Sequence, residues 1–121
     1  MSPEIPTVRC SPKPALPERP LLTPDQAGAL MSLFKVLAND TRLRLLHALA
    51  RTREVCVNDL ADAVGMKPQA VSNQLQRLVY RGILGCRRNG TNIYYRVQDP
   101  CVVAILDRAL CLAEDAAENR L

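Results

Sequence analysis

The 121-residue sequence predicts a mainly α-helical domain with a small β-hairpin. Three observations predict it. Apolar residues recur at helical spacing in several segments, a short helical segment is followed after only three residues by another, and an Asn-Gly pair separates two segments of strand character. Apolar residues make up 48% of the chain, which suffices for one domain with its own core.

Prolines mark the N-terminal part of the chain. Seven of the nine prolines lie within the first 24 residues. Because proline is excluded from helix interiors and favours extended backbone, we expect residues 1–23 to form an extended, non-helical arm. Residues 24–118 are then expected to form the folded domain.

Two helices are predicted after the arm. Thr23, followed by Pro and Asp, supplies a cap, a first-position proline and a first-turn acid, so the first helix begins there and runs to about Ala38. Residues 41–50 form a second helix. His47, in this segment, is expected in the core or at its boundary. The second helix is expected to bury Leu43, Leu46 and Leu49 or their neighbours.

A pair of helices is predicted in the middle of the chain. Residues 59–64 form a short helix, with Asn58 as its cap and Gly65 as its end. Three residues separate this helix from Pro68, which suits the first turn of a helix that runs to Tyr80. Two helices joined by so short a turn predict a helix-turn-helix.

The second helix of this pair, here called the recognition helix, has an apolar stripe and a polar face. The apolar stripe consists of Val71, Leu75, Leu78 and Val79. The polar face carries amides and a hydroxyl, which suit the edges of DNA bases better than the usual mixture of Glu and Lys. We expect this face to contact DNA through Gln69, Ser72, Asn73 and Gln76, with Arg77 beside them and Lys67 before the helix as a phosphate contact.

A two-stranded hairpin is predicted next. Residues 83–88 and 92–97 form the strands, and Asn89-Gly90 forms a turn in which both residues would need positive φ. Arg87 and Arg88 then lie near the tip, where a wing would touch the DNA backbone. Together these elements predict a winged helix-turn-helix, with about five helices and a two-stranded wing.

The distribution of charge agrees with a nucleic-acid partner. Residues 67–98 contain six basic and no acidic side chains, which is typical of a surface that meets phosphate. Residues 99–121 hold five acidic residues against two arginines, a local charge of −3, and should face away from DNA.

Other classes of protein are disfavoured. No apolar segment approaches the ~20 residues needed to span a bilayer, so we expect a cytoplasmic protein with reduced cysteines and no membrane partner. With one histidine, no nucleophile beside a base and no Gly-rich phosphate loop, the sequence argues against an enzyme.

The last predicted helix, residues 101–117, has apolar residues on two stripes. Burial on two sides implies contact with the body of the domain and with a partner, so we expect a homodimer through the first and last helices. A two-fold dimer places two recognition helices about one DNA turn, ~34 Å, apart, which predicts a palindromic double-stranded operator.

Three segments resemble the ArsR/SmtB family of dimeric winged-helix repressors from bacteria, many of which leave DNA when they bind a metal ion. They are EVCVNDLA at residues 54–61, AVSNQL at 70–75 and YYRVQD at 94–99. The similarity covers roughly residues 25–117, and its most specific part is the Cys-x-x-Asp before the recognition helix. The resemblance implies a transcriptional repressor released by a metal ion.

The resemblance implies a first candidate metal site, here called the arm site: Cys56 and Asp59 of one subunit with Cys10 from the partner's arm. Cys56 and Asp59 are three positions apart at a helix start, so their side chains can converge. Cys10 lies 14 residues before Pro24, and an extended chain of that length reaches ~43 Å, enough to cross a dimer. Thiolates select ions such as zinc, cadmium, lead or trivalent arsenic (arsenite). Alternatively, Cys56 is a small buried apolar residue and Cys10 is incidental.

A second family site uses Asp-x-His from one chain and His-x-x-Glu from the other. Both histidines are absent here, but Cys101 and Cys111 could form a variant. They lie ~15 Å apart along one helix, so only antiparallel pairing across the dimer would bring Cys101 near the partner's Cys111. This site, here called the last-helix site, ranks below the arm site and comprises Asp99, Cys101, Cys111 and Asp115.

Two other functions remain open. The first is a repressor of the same fold that senses oxidants or persulfides through a cysteine pair. The second is a winged-helix DNA-binding regulator without a metal effector, its cysteines being structural. Cys86, in the first wing strand, is expected to be a packing residue.

Overall fold

The computed structural model describes residues 13–118. These residues form five α-helices, one short 3-10 helix and three β-strands. Cys10 of the predicted arm site lies outside the described residues. The elements are α1 (Pro24–Leu37), α2 (Asp40–Ala50), β1 (Val55–Cys56), α3 (Val57–Val64), α4 (Pro68–Tyr80), β2 (Leu84–Asn89), β3 (Asn92–Val97) and α5 (Pro100–Glu118), with the 3-10 helix at Leu16–Glu18.

The described part of the arm is not entirely extended. The 3-10 helix at Leu16–Glu18 contradicts the prediction that the arm contains no helix. A proline is tolerated in the first turn because its missing N–H would have no partner there, and this helix has Pro at such a position.

The first two helices begin as their caps predict. The backbone N–H of Gln26 donates to Thr23 Oγ1 at 3.1 Å, and the Thr23 N–H donates to Gln26 Oε1 at 3.0 Å, which completes a capping box. In α2 the buried residues are Leu45, Leu46 and Leu49. Leu46 and Leu49 are buried as expected, and Leu45 is buried in place of Leu43, which is 39% exposed.

The short helix α3 begins two residues earlier than predicted. Cys56, and not Asn58, occupies the cap position, and its side chain makes no capping hydrogen bond. The cause is strand β1, because its pairing with β3 holds residues 55 and 56 extended and the helix starts directly after them. Gly65 ends α3 with φ 72°, as expected.

The wing contains one more strand than predicted. The sheet has the order β1-β3-β2, with Cys56 opposite Tyr94. Asn89 pairs with Asn92, so the central residues of the turn are Gly90 and Thr91. Of these only Gly90 has positive φ, 67°, so the expectation of two positive φ values in the turn was wrong. Glycine at the first central position is the pattern of a type II′ hairpin turn.

The core lies between α2, α3, α4 and the sheet. Tyr95, at the centre of β3, is completely buried in it. The recognition helix α4 has the predicted bounds and buries Val71, Leu75 and Leu78. Helices α1 and α5 contribute few buried residues and carry much of the exposed apolar surface: Leu30, Met31, Phe34, Val103, Leu110 and Leu112. None of the helices described is long and apolar enough to cross a membrane.

Candidate nucleic-acid interface and cysteine sites

The polar face of α4 lies on the surface. Its apolar stripe packs into the core, which turns Gln69, Asn73, Gln76 and Arg77 outward, while Ser72 is half-buried. Lys67 is exposed at the cap position and makes no side-chain capping bond. The face therefore offers amide donors and acceptors between two cations, as base-edge and phosphate contacts require.

Two amides of this face are already paired with each other. Gln69 Nε2 donates to Asn73 Oδ1 at 3.1 Å, one helical turn apart. This hydrogen bond holds both side chains along the helix. It does not use the side-chain carbonyl oxygen of Gln69 or the amide nitrogen of Asn73. One acceptor and one donor are what the edge of an adenine needs.

The two wing arginines differ in their surroundings. Arg87 donates to both carboxylate oxygens of Glu54, each at 2.8 Å, and its guanidinium carbon lies 4.8 Å from the centroid of the Tyr94 ring. The hydrogen bond from Arg87 is the main cause of a lowered pKa at Glu54, and the same bond raises the pKa of Arg87. No ion pair is found for Arg88 within residues 13–118. Of the two predicted phosphate contacts, Arg88 is therefore the more available.

Arg96, part of the basic stretch, lies away from the wing tip. It pairs with Gly85 near the base of the hairpin, and its Nη2 donates to Gln98 Oε1 at 3.4 Å. A Cβ at Gly85 would lie 2.8 Å from the Arg96 guanidinium carbon, so glycine leaves the room for this side chain. The charge of Arg96 thus belongs to the base of the sheet.

A hydrogen-bonded link inside the domain was not foreseen from the sequence. Arg42 Nε donates to Gln74 Oε1 of α4 at 2.8 Å, and Arg42 Nη1 donates to the carbonyl oxygen of Val36 at 3.0 Å. Arg42 and Gln74 are 32 positions apart, and no local pattern marks the pair.

The described half of the arm site lies where β1 meets α3. Cys56 is a half-buried free thiol, and Asp59 is exposed in the first turn of α3. Within residues 13–118 of one chain, no three potential ligands are close enough together to hold a metal ion. The arm site needs Cys10 of another subunit, so it stays a prediction.

The last-helix residues have local contacts of their own. Asp99 Oδ1 accepts the backbone N–H of Cys101 at 2.9 Å, which places its carboxylate at the start of α5. Cys111, an exposed free thiol, lies 4.0 Å (Sγ to Oδ2) from Asp115 one turn further on. The pairing of Cys101 with the partner's Cys111 stays a prediction.

Two residues that the sequence predicts to be packed against the core or its boundary are exposed instead. His47 is exposed, because the buried positions 45, 46 and 49 turn it to the outside of α2. Cys86 is also exposed, because only the first two residues of β2 reach the core and the strand then projects beyond it.

Comparisons with known proteins agree on one family. The model of "Bacterial regulatory protein, arsR family" matches residues 39–84. The transcriptional repressor SmtB homolog of Synechocystis is 45% identical over 75 residues, which cover 62% of this chain and 56% of that protein.

Solved structures agree with that match. The crystal structure of the AntR antimony-specific transcriptional repressor is 63% identical, with 90% of this chain and 98% of that chain covered and a TM-score of 0.77. The homodimeric winged helix-turn-helix domain Mb0332 of Mycobacterium bovis, a possible ArsR-family regulator, is 31% identical, with 84% of this chain and 95% of that chain covered and a TM-score of 0.69.

Proposed function

Because the chain belongs to the arsR family of bacterial regulatory proteins, we propose that it is a homodimeric repressor that leaves its operator when it binds a thiophilic metal or metalloid ion. The family consists of DNA-binding winged-helix regulators, so the chain is a regulator and not an enzyme. One observation carries the proposal: the 63% identity to an antimony-specific repressor along 98% of that chain.

DNA binding is assigned to α4 and the wing. The α4 face enters the major groove, where Gln69, Asn73 and Gln76 contact base edges. Arg88 at the wing and Lys67 at the start of α4 contact phosphates, and Arg77 lies beside the reading face. This division is supported by exposure, because all of these side chains lie on the surface.

The dimer interface is assigned to α1 and α5. Phe34 is 50% exposed and Leu110 is 55% exposed in the single chain, together with neighbouring apolar residues on the same helices. Exposed apolar surface of this kind is typical of an interaction site. The neighbour from Mycobacterium bovis is described as homodimeric, which supports a homodimer.

Binding of the effector ion is assigned to the cysteines. A soft thiolate ligand set selects thiophilic ions over magnesium or calcium, and the antimony-specific relative favours a trivalent metalloid, arsenite or antimonite, over zinc, cadmium or lead. The arm site is the first candidate, because Cys56 pairs directly with the wing strand β3 and an ion there would pull on the wing. The last-helix site is the alternative. Cys111 lies between exposed leucines on α5, the helix assigned to the dimer interface, where the site requires the partner's Cys101.

The test is an operator-release assay under reducing conditions. A palindromic duplex selected by the wild-type protein from a randomised library is labelled, and binding is followed by fluorescence anisotropy. Titration with antimonite or arsenite is expected to release the wild type, and cadmium, lead and zinc are titrated in parallel for comparison. Cys56→Ser is expected to bind the operator normally and to resist release, and Cys86→Ser is the matched control that should respond like wild type.

The outcomes separate the alternatives. Release that is lost in Cys111→Ser and kept in Cys56→Ser would move the effector site to α5. Release by oxidant alone, with a matching mass increase and no metal retained after desalting, would contradict the metal effector. Failure of the wild type to bind any duplex at low ionic strength would contradict the proposal as a whole.

A further inference from the structure

The guanidinium of Arg42 joins two helices to which the proposed function gives different roles: α1 in the dimer interface and α4 in DNA reading. We infer that Arg42 is a positioning residue: it fixes the orientation of the recognition helix α4 relative to the end of α1, and so contributes to operator specificity without touching DNA. The inference rests on the proposed function, because it takes α4 as the reading helix and α1 as part of the dimer interface.

The link consists of three hydrogen bonds at the corner between α1 and α2. Arg42 Nε donates to Gln74 Oε1 at 2.8 Å, and Arg42 Nη1 donates to the Val36 carbonyl oxygen at 3.0 Å. The backbone N–H of Arg42 donates to Asn39 Oδ1 at 3.0 Å, which anchors the first turn of α2. One side chain thus connects the last turn of α1 with the middle of α4.

The chemistry of the link makes it stiff. Val36 lies in the last turn of α1, where carbonyl groups lack helical partners and the helix dipole favours a cation. The guanidinium is a planar fork whose donors point in fixed directions, so its two bonds fix the distance between their acceptors. All of these bonds are partly buried, which reduces competition from water.

Gln74 lies beside Asn73, which explains why its hydrogen bond to Arg42 affects the recognition of bases. Gln74 is half-buried, whereas Asn73 beside it is exposed on the reading face. Successive residues differ by about 100° around a helix, so a bond at Gln74 sets the rotation of α4 that aims Asn73 at the groove. Base contacts depend on such geometry, while phosphate contacts mainly set affinity for any sequence.

The experiment compares two duplexes: the operator selected by the wild type and a scrambled duplex of the same length and composition. Gln74→Met keeps the side-chain length and deletes the acceptor. Losing one hydrogen bond to a charged donor corresponds to about a tenfold or larger effect, and we expect that loss on the operator only. Affinity for the scrambled duplex and the salt slope should not change, because no phosphate contact is removed.

Two variants control for structure. Arg44→Met removes an arginine of the same helix whose Nη1 donates to the Val64 carbonyl oxygen at 3.3 Å and not to α4; it should keep the full preference. Gln74→Glu keeps an acceptor for Arg42 and should also keep the ratio of operator to scrambled affinity. Thermal melting confirms that each variant is folded.

Several results would overturn the inference. They are an unchanged preference in Gln74→Met, an equal loss on both duplexes, or the same loss in Arg44→Met. If Gln74→Met does not fold, Arg42→Lys decides, because it keeps the charge but cannot make both bonds; a retained preference there overturns the inference. A wild type without operator preference would instead contradict the proposed function.

Discussion

Glu54 and Arg87 form a two-bonded ion pair across the wing. Arg87 Nε donates to Glu54 Oε2 and Arg87 Nη2 donates to Glu54 Oε1, each at 2.8 Å. The pair is not buried: the Arg87 side chain is 50% exposed and that of Glu54 is 26% exposed. An arginine at a proposed DNA-contacting wing is therefore held by a carboxylate that competes with phosphate for it.

Glu54→Gln is expected to strengthen DNA binding. The substitution keeps the shape of the side chain and removes the negative charge, so Arg87 becomes available to a phosphate. Affinity for any duplex should rise at low ionic strength, and the slope of log K against log salt should steepen by about one unit. Anisotropy titrations at several salt concentrations measure both quantities.

The control for this experiment is Glu118→Gln at the acidic end of α5, which changes the net charge equally. Its salt slope should match that of the wild type. Equal gains in the two variants would mean that overall charge, and not the release of Arg87, raises the affinity.

The same ion pair predicts a pH dependence of stability. Hydrogen bonding from Arg87 lowers the pKa of Glu54 below its ordinary value of 4.5. Since the folded-state pKa is the lower one, the stabilisation is present above pH 4.5 and is lost as the pH falls through the lowered value. The difference in melting temperature between wild type and Glu54→Gln should therefore shrink towards zero in acid. A difference that grows below pH 4.5 would contradict this assignment.

Local signals in the sequence predicted much of the fold. The bounds of α4, the end of α3 at Gly65 and the cap at Thr23 are each determined by neighbouring residues, and all three are confirmed. The predicted turn of the hairpin is not confirmed. The pairing of Asn89 with Asn92 decides which residues are central in the turn, and that pairing depends on both strands.

Contacts between distant residues account for what the sequence did not reveal. The pairs Glu54–Arg87 and Arg42–Gln74 span 33 and 32 positions, and β1 is recognisable only through its partner β3. The sequence predicts contacts to the DNA backbone for both Arg87 and Arg88, yet Arg87 is paired with the carboxylate of Glu54. The candidate metal sites are harder still, because each is predicted to combine residues from two subunits.

Tyr95→Phe is expected to stabilise the domain. Tyr95 is completely buried, and its hydroxyl has no hydrogen-bond partner among residues 13–118. A buried polar group without a partner costs about 1–3 kcal/mol, so its removal should raise the free energy of unfolding by about 1 kcal/mol in urea titrations. Tyr80→Phe is the control, since Tyr80 is 90% exposed and should behave like wild type. A loss of stability in Tyr95→Phe would show that the hydroxyl is bonded.

Gly90→Ala is expected to destabilise the wing. Gly90 has φ 67° in the hairpin turn, and a residue with a Cβ in this region costs about 1–2 kcal/mol. Thr91→Ala, at the neighbouring turn position without positive φ, should cost less. Because Arg88 lies two residues before Gly90, Gly90→Ala should also weaken duplex binding. Urea unfolding and anisotropy check the two effects, and equal stability of both variants would contradict the turn assignment.

Phe34→Glu is expected to break the dimer. Phe34 is 50% exposed on α1 among other exposed apolar residues, and a charge placed in an apolar interface loses its hydration without gaining a partner. Light scattering after size-exclusion chromatography should show the mass falling from a dimer to a 13.4 kDa chain.

Operator affinity should fall with the dimer, because a single recognition helix reads only one half-site. Leu43→Glu on α2 is the control, since Leu43 is 39% exposed but lies outside α1 and α5; it should remain dimeric and bind the operator. A Phe34→Glu protein that stays dimeric with full operator affinity would place the interface on another surface.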